Sequence, residues 1–108
     1  MANICDNRFY FCCEHNSEKY INNFKELQNN AYNTFDFEVI DSDEDFCSIE
    51  GYFESKWDFP IDTIHKYLKL DKDDDCYFRC LSEEYGEGYV AMNIYRDGEW
   101  WEEQTFNI

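Results

Sequence analysis

The chain reads as an α+β domain in which a single antiparallel sheet carries two helices on one face, and three observations predict this. Several segments alternate apolar and polar residues with period two. Two others repeat apolar residues at helical spacing. Their order along the chain is strand, helix, strand, strand, helix, strand, strand, strand. At 108 residues there is room for one core and not for two, so a single acidic domain spanning 1–108 is expected.

The first strand runs from Ile4 to Cys13, with Cys5, Phe9, Phe11 and Cys13 on one side and Asp6, Arg8 and Tyr10 on the other. A turn at Glu14 to Asn16 leads to Ser17, read as a helix cap. Tyr20, Ile21, Phe24 and Leu27 then follow at helical spacing until the polar run Gln28 to Asn30. Two strands, Phe35 to Ile40 and Phe46 to Lys56, flank the acidic tip Asp41-Ser42-Asp43-Glu44-Asp45. In the second of them Cys47, Ile49, Gly51 and Phe53 alternate with Ser48, Glu50, Tyr52 and Glu54. Pro60 suits the first turn of a second helix, whose buried stripe is Ile61, Ile64, Tyr67 and Leu68. Asp62 lies early, and Lys66 and Lys69 late, as the helix dipole favours.

The acidic run Asp71 to Asp75 separates that helix from a strand, Cys76 to Glu84, with Cys76, Phe78 and Cys80 inward. Gly86-Glu87-Gly88 turns into Tyr89 to Tyr95, where Val90, Met92 and Ile94 alternate, and Arg96-Asp97-Gly98 turns into a last strand, Glu99 to Phe106. The first six elements can form the split βαβ arrangement of a ferredoxin-like βαββαβ sheet, with both helices on one face and the extra C-terminal strands extending it.

Apolar residues make up 44% of the chain and aromatics 20%, enough to fold despite the acidity. Against 25 acidic residues stand 9 basic ones, a formal net charge of −16. A field of that sign repels nucleic acid and anionic membrane and steers the protein towards basic surfaces. No apolar run is long enough for a membrane span, and Met1 to Asn7 lacks the basic and apolar regions of a secretion signal. The expected location is the cytoplasm, with the six cysteines reduced.

Those cysteines include no Cys-x-x-Cys pair, and Cys5, Cys13, Cys47, Cys76 and Cys80 all fall on inferred inner faces. They read as small buried hydrophobes, with no metal or cofactor expected. Asp41, Asp43 and Asp45, or Asp71, Asp73 and Asp75, copy the first three ligand positions of an EF-hand loop. Positions six and twelve, however, are Phe46 and Tyr52 in one loop and Cys76 and Ser82 in the other. His15 and His65 form no grouping with a nucleophile, and four glycines offer no phosphate-cradling loop, so no enzyme activity is expected.

Trp57, Tyr85, Tyr89, Tyr95, Trp100 and Trp101 lie near turns or on outward strand positions, beside Glu54, Asp58, Glu83, Glu84, Glu87, Glu99, Glu102 and Glu103. Aromatics flanked by charge have the character of interface anchors, while Trp57 and one of Trp100 and Trp101 read equally as plugs for the open end of the sheet. The candidate partner-binding set is therefore Asp41, Asp43, Glu44, Asp45, Asp71, Asp73, Asp74, Asp75, Glu83, Glu84, Tyr85, Glu87, Trp100 and Trp101. It would face a basic protein, not nucleic acid and not a membrane.

Three stretches carry a resemblance: the opening Met1-Ala2-Asn3-Ile4-Cys5-Asp6-Asn7, the run Gly51-Tyr52-Phe53-Glu54-Ser55-Lys56-Trp57-Asp58-Phe59-Pro60, and Glu83-Glu84-Tyr85-Gly86-Glu87-Gly88-Tyr89. Together they resemble a small phage- and plasmid-borne family whose members begin Met-Ala-Asn-Trp-Cys and contain a YubB-type ferredoxin-like domain; Ile4 stands where that family has Trp. The resemblance implies a mobile-element protein with a ferredoxin-like fold and supplies no catalytic residues. The small, acidic, phage-like profile is also similar to that of anti-CRISPR and other anti-defence inhibitors, some of which occupy nucleic-acid channels with carboxylates placed like phosphates. The expected function is thus an inhibitor that blocks a nucleic-acid-binding effector, such as a CRISPR nuclease, by DNA mimicry or occlusion. The alternatives are a metal-dependent or redox accessory module using the six thiols, or a homodimer pairing through the last strand.

Overall fold

The alternating segments form one six-stranded antiparallel sheet in the computed structural model, which describes residues 3–86 and 88–107. The elements are β1 (Ile4–Cys13), α1 (Ser17–Asn30), β2 (Asp36–Ser42), β3 (Cys47–Lys56), α2 (Ile61–Leu68), a 3-10 turn (Lys72–Asp74), β4 (Tyr77–Glu84), β5 (Tyr89–Arg96) and β6 (Glu99–Asn107). Their order across the sheet is β2-β3-β1-β4-β5-β6, and every neighbouring pair is antiparallel. Among the described residues no helix is long and apolar enough to cross a membrane.

Period two on β1 buries Cys5, Asn7, Phe9, Phe11 and Cys13, and both helices pack on that face. Phe9 lies at the centre, its ring stacked 5.5 Å from Phe24 of α1, 5.3 Å from Phe35 and 5.8 Å from Phe78 of β4. Tyr20, Phe24 and Leu27 of α1, with Ile64 and Leu68 of α2, complete the core. Gly51 is opposite Phe9 in the β1–β3 register, and a Cβ there would lie 2.2 Å from the Asp36 carbonyl and 2.6 Å from the Phe9 ring. Only glycine lets the strand and the ring approach this closely. The other face of the sheet is covered by no described element.

Three details differ from the sequence expectations. Ser17 is the first helical residue and not the cap: Asn16, at φ 64, occupies that place, and the Ser17 hydroxyl instead donates to the Asp43 carbonyl at 2.8 Å. On β5 the register Phe78↔Tyr95 and Cys80↔Asn93 turns Ala91, Asn93 and Tyr95 inward, leaving Val90, Met92 and Ile94 on the uncovered face. Tyr95, read from the sequence as exposed, is therefore buried, because the inward phase of β4 dictates that of its partner. Lastly, polar residues line the inner face away from the aromatic core. Asn7 donates to Ser55 Oγ at 2.9 Å and to the Phe53 carbonyl, and accepts from Ser82 Oγ at 2.7 Å, so its burial is matched by hydrogen bonds.

Candidate functional site

Strand direction decides which loops meet. β1 ends at Cys13, β3 begins beside it at Cys47, and β4 begins near Cys12 at Tyr77, so the β2–β3 hairpin and the 71–75 turn emerge at the same end of the sheet. The first turn of α1 holds both. Ser17 donates its backbone N–H to the Asp45 carbonyl at 3.1 Å and its hydroxyl to the Asp43 and Glu44 carbonyls. Asn16, Lys19 and Tyr20 converge on the Asp74 carboxylate at 2.5, 3.2 and 2.5 Å, while the Asp74 carbonyl accepts from Glu14 N and His15 N.

Several of the predicted acids prove to be structural. Asp74 is 5% exposed, and burial pushes its carboxyl up, but the donors Tyr20, Asn16 and Lys19 outweigh that and hold it below the usual carboxylate range. Asp43 folds its carboxylate back on the Asp45 and Phe46 amides at 2.8 and 2.7 Å, bonds that also lower its carboxyl. Asp71 caps the 3-10 turn by accepting from Asp73 N at 2.9 Å. The Asp43 and Asp71 bonds are Asx turns, the reason short acidic side chains suit such tips irrespective of any partner. Of the predicted acids at this end, Asp41, Glu44, Asp45, Asp73 and Asp75 are exposed and outside these bonds, with Asp75 3.9 Å from His15 Nε2.

The third acidic stretch is elsewhere. β4 runs away from the hairpin end, so Glu83, Glu84 and Tyr85 sit at the opposite end of strands that span about 30 Å at ~3.3 Å per residue. Glu84 points inward at 2% exposure and accepts from Gly86 N at 2.6 Å, which corrects its reading as a contact residue. Tyr85 is exposed and donates to Glu83. Glu87 lies outside the described residues, as do Met1 and Ala2 of the opening motif.

The aromatics also divide. Trp100 is not free for a partner: it packs on Phe59, Phe78 and Tyr95, and its indole N–H donates to His65 Nδ1 at 3.1 Å. Trp101, next in the strand, projects from the uncovered face and is half exposed. Trp57 is half exposed as well and is the centre of a tight turn, at φ 72, with Asp58 N donating to the Lys56 carbonyl.

The uncovered sheet face contains residues that loop-by-loop reading missed. The register places Asp36, Glu38, Glu50, Glu54, Asp6 and Tyr52 together on β2, β3 and β1, around the exposed Arg8 opposite Tyr52 and continuous with Asp41 at the hairpin end. Tyr52 donates to Asp6 at 2.7 Å and to Glu54 at 3.0 Å, and burial together with these two carboxylates raises its phenol. The β4–β6 half of the same face presents Leu81, Met92, Ile94 and Trp101, interspersed with Arg79, Glu83 and Glu103. Strand pairing, and not spacing along the chain, brings these together, so only the outward half of each alternation signalled them. Among the described residues no cluster of three or more His, Cys, Asp or Glu is arranged to hold a metal ion. No family model, curated protein or solved structure matches the chain.

Proposed function

We propose that this protein is a stoichiometric inhibitor that docks its acidic end and the adjoining acidic half of its open sheet on a basic, nucleic-acid-binding effector, of the CRISPR or other defence-nuclease kind, in the bacterial cytoplasm. The observation that supports this most is the joining of two acidic loops, far apart in sequence, by one helix turn into a single surface continuous with Asp36, Glu38 and Glu50. Fixed carboxylates at that density repel nucleic acid and attract the Lys and Arg that ordinarily contact phosphates. Leu81, Met92, Ile94 and Trp101 alongside supply the apolar area that slows dissociation.

A ferredoxin-like fold extended by β5 and β6 belongs to the same proposal. Its support is the order β2-β3-β1-β4 with α1 and α2 as the two crossovers. Membership of the phage- and plasmid-borne family stands with it as a proposal.

Titration into purified defence nucleases tests the function. Cleavage should fall to a minimum near one equivalent, and lysine substitutions at Asp41, Glu44, Asp45, Asp73 and Asp75 should relieve the block while Glu83→Lys does not. Indifference of every nuclease tried, or of the block to the five reversals, removes the reading. Self-association is a second reading, favoured by the nine-residue edge strand β6. Light scattering across concentrations would reveal a dimer, and a monomer throughout would dismiss it.

A further inference from the structure

We propose that Cys13 and Cys47 form a reversible cross-strand disulfide that ties the root of the acidic β2–β3 hairpin to the end of β1. The two residues are directly opposite in the antiparallel register, both are fully buried, and their sulfurs lie 3.4 Å apart. Opposed residues of an antiparallel pair have Cα atoms about 4.5–5.5 Å apart, within the about 4.4–6.8 Å that a disulfide spans. The bond therefore needs side-chain rotation and closure of the sulfurs, not movement of a strand. Cys13 is the last residue of β1 and Cys47 the first of β3, so the pair sits where the ladder ends and where local opening admits a reagent.

The neighbouring thiols differ in setting. Burial pushes Cys5 and Cys76 up to about 11 and Cys80 up to about 12, and Cys12 faces the other side of the sheet. The hydrogen bond between the two sulfurs couples the pair, and either thiol can make the first attack. With a small-molecule disulfide such as glutathione disulfide the steps balance. The thiolate of one cysteine attacks one glutathione sulfur and expels a glutathione thiolate, giving a mixed disulfide. The other cysteine then loses its proton and attacks the protein sulfur of that mixed disulfide, expelling the second glutathione. Two protein thiols are oxidised to one disulfide, and one glutathione disulfide is reduced to two thiols. The consequence is a hairpin root, Cys47 under Asp45, that is covalently held to the strand beneath α1.

The test is to equilibrate the full reduced chain in glutathione buffers of increasing disulfide content, trap free thiols by alkylation and map peptides without reduction. The expected product has lost two hydrogens, links the peptides of Cys13 and Cys47, and exchanges the Phe46 and Cys47 amides more slowly than the reduced form. It should form unchanged in Cys12→Ser and Cys76→Ser and be absent from Cys47→Ser. Full alkylation of all six cysteines at every poise that leaves the protein folded, or a first bridge through Cys12 or Cys76, overturns the proposal. If Cys47→Ser fails to fold, the peptide map of the unmodified sequence decides alone.

Discussion

Asp73 and Asp74 are adjacent carboxylates with opposite roles. Asp73 faces water, whereas Asp74 is buried under three donors. Removing its charge leaves Tyr20, Asn16 and Lys19 short of an acceptor, so Asp74→Asn should lower urea stability by about 1–3 kcal/mol at neutral pH, while Asp73→Asn leaves the midpoint where it was. The sign with pH follows from the lowered folded-state carboxyl. Asp74 stabilises fully above its unfolded value of about 3.9, and that contribution disappears as pH falls through the lower folded value. The stability gap between the parent chain and Asp74→Asn, followed by urea titrations from neutral to acid, should therefore be flat above about pH 5 and close below about pH 4. Nothing in the run Asp71 to Asp75 distinguished the buried acid from its neighbours, because the distinction is made by Asn16, Lys19 and Tyr20, more than fifty positions away.

At the scale of elements, the strands and helices were legible to within about two residues, since most are bounded by Gly, Pro or an acidic turn, the connection Ala31 to Phe35 being the exception. The phase of β5 was not. Val90, Met92 and Ile94 look like a core face, and only pairing to β4, whose Phe78 and Cys80 must point inward, assigns the core to Ala91, Asn93 and Tyr95. Gly51 is a stricter element-level constraint. Gly51→Ala should destabilise by about 1–3 kcal/mol, the usual effect of overpacking, because neither the Asp36 carbonyl nor the Phe9 ring can retreat. Thermal unfolding of that variant checks it, and an unchanged midpoint would mean that β2 shifts to make room. The candidate site was legible in part: the two loops carry their charge openly, but their union at one end, and the separation of Glu83 and Tyr85 from them, come from strand direction.

For the whole molecule the dominant quantity is the charge of −16. Self-repulsion of this size opposes folding, and mobile ions screen it over about 8 Å at physiological ionic strength. Raising sodium chloride from low to moderate concentration should therefore raise the thermal midpoint by roughly 4–8 °C for each kcal/mol recovered, while slowing association with the basic effector proposed above. A midpoint insensitive to salt would mean that the carboxylates are already compensated within the fold. The union of hairpin and 3-10 turn by the first turn of α1 also makes the acidic end a mosaic of residues 14–17, 41–47 and 71–76. No linear fragment carries it: peptides copied from either loop should fail to compete with the intact chain, and an antibody that recognises the assembled surface should lose its epitope in immunoblots of the denatured protein.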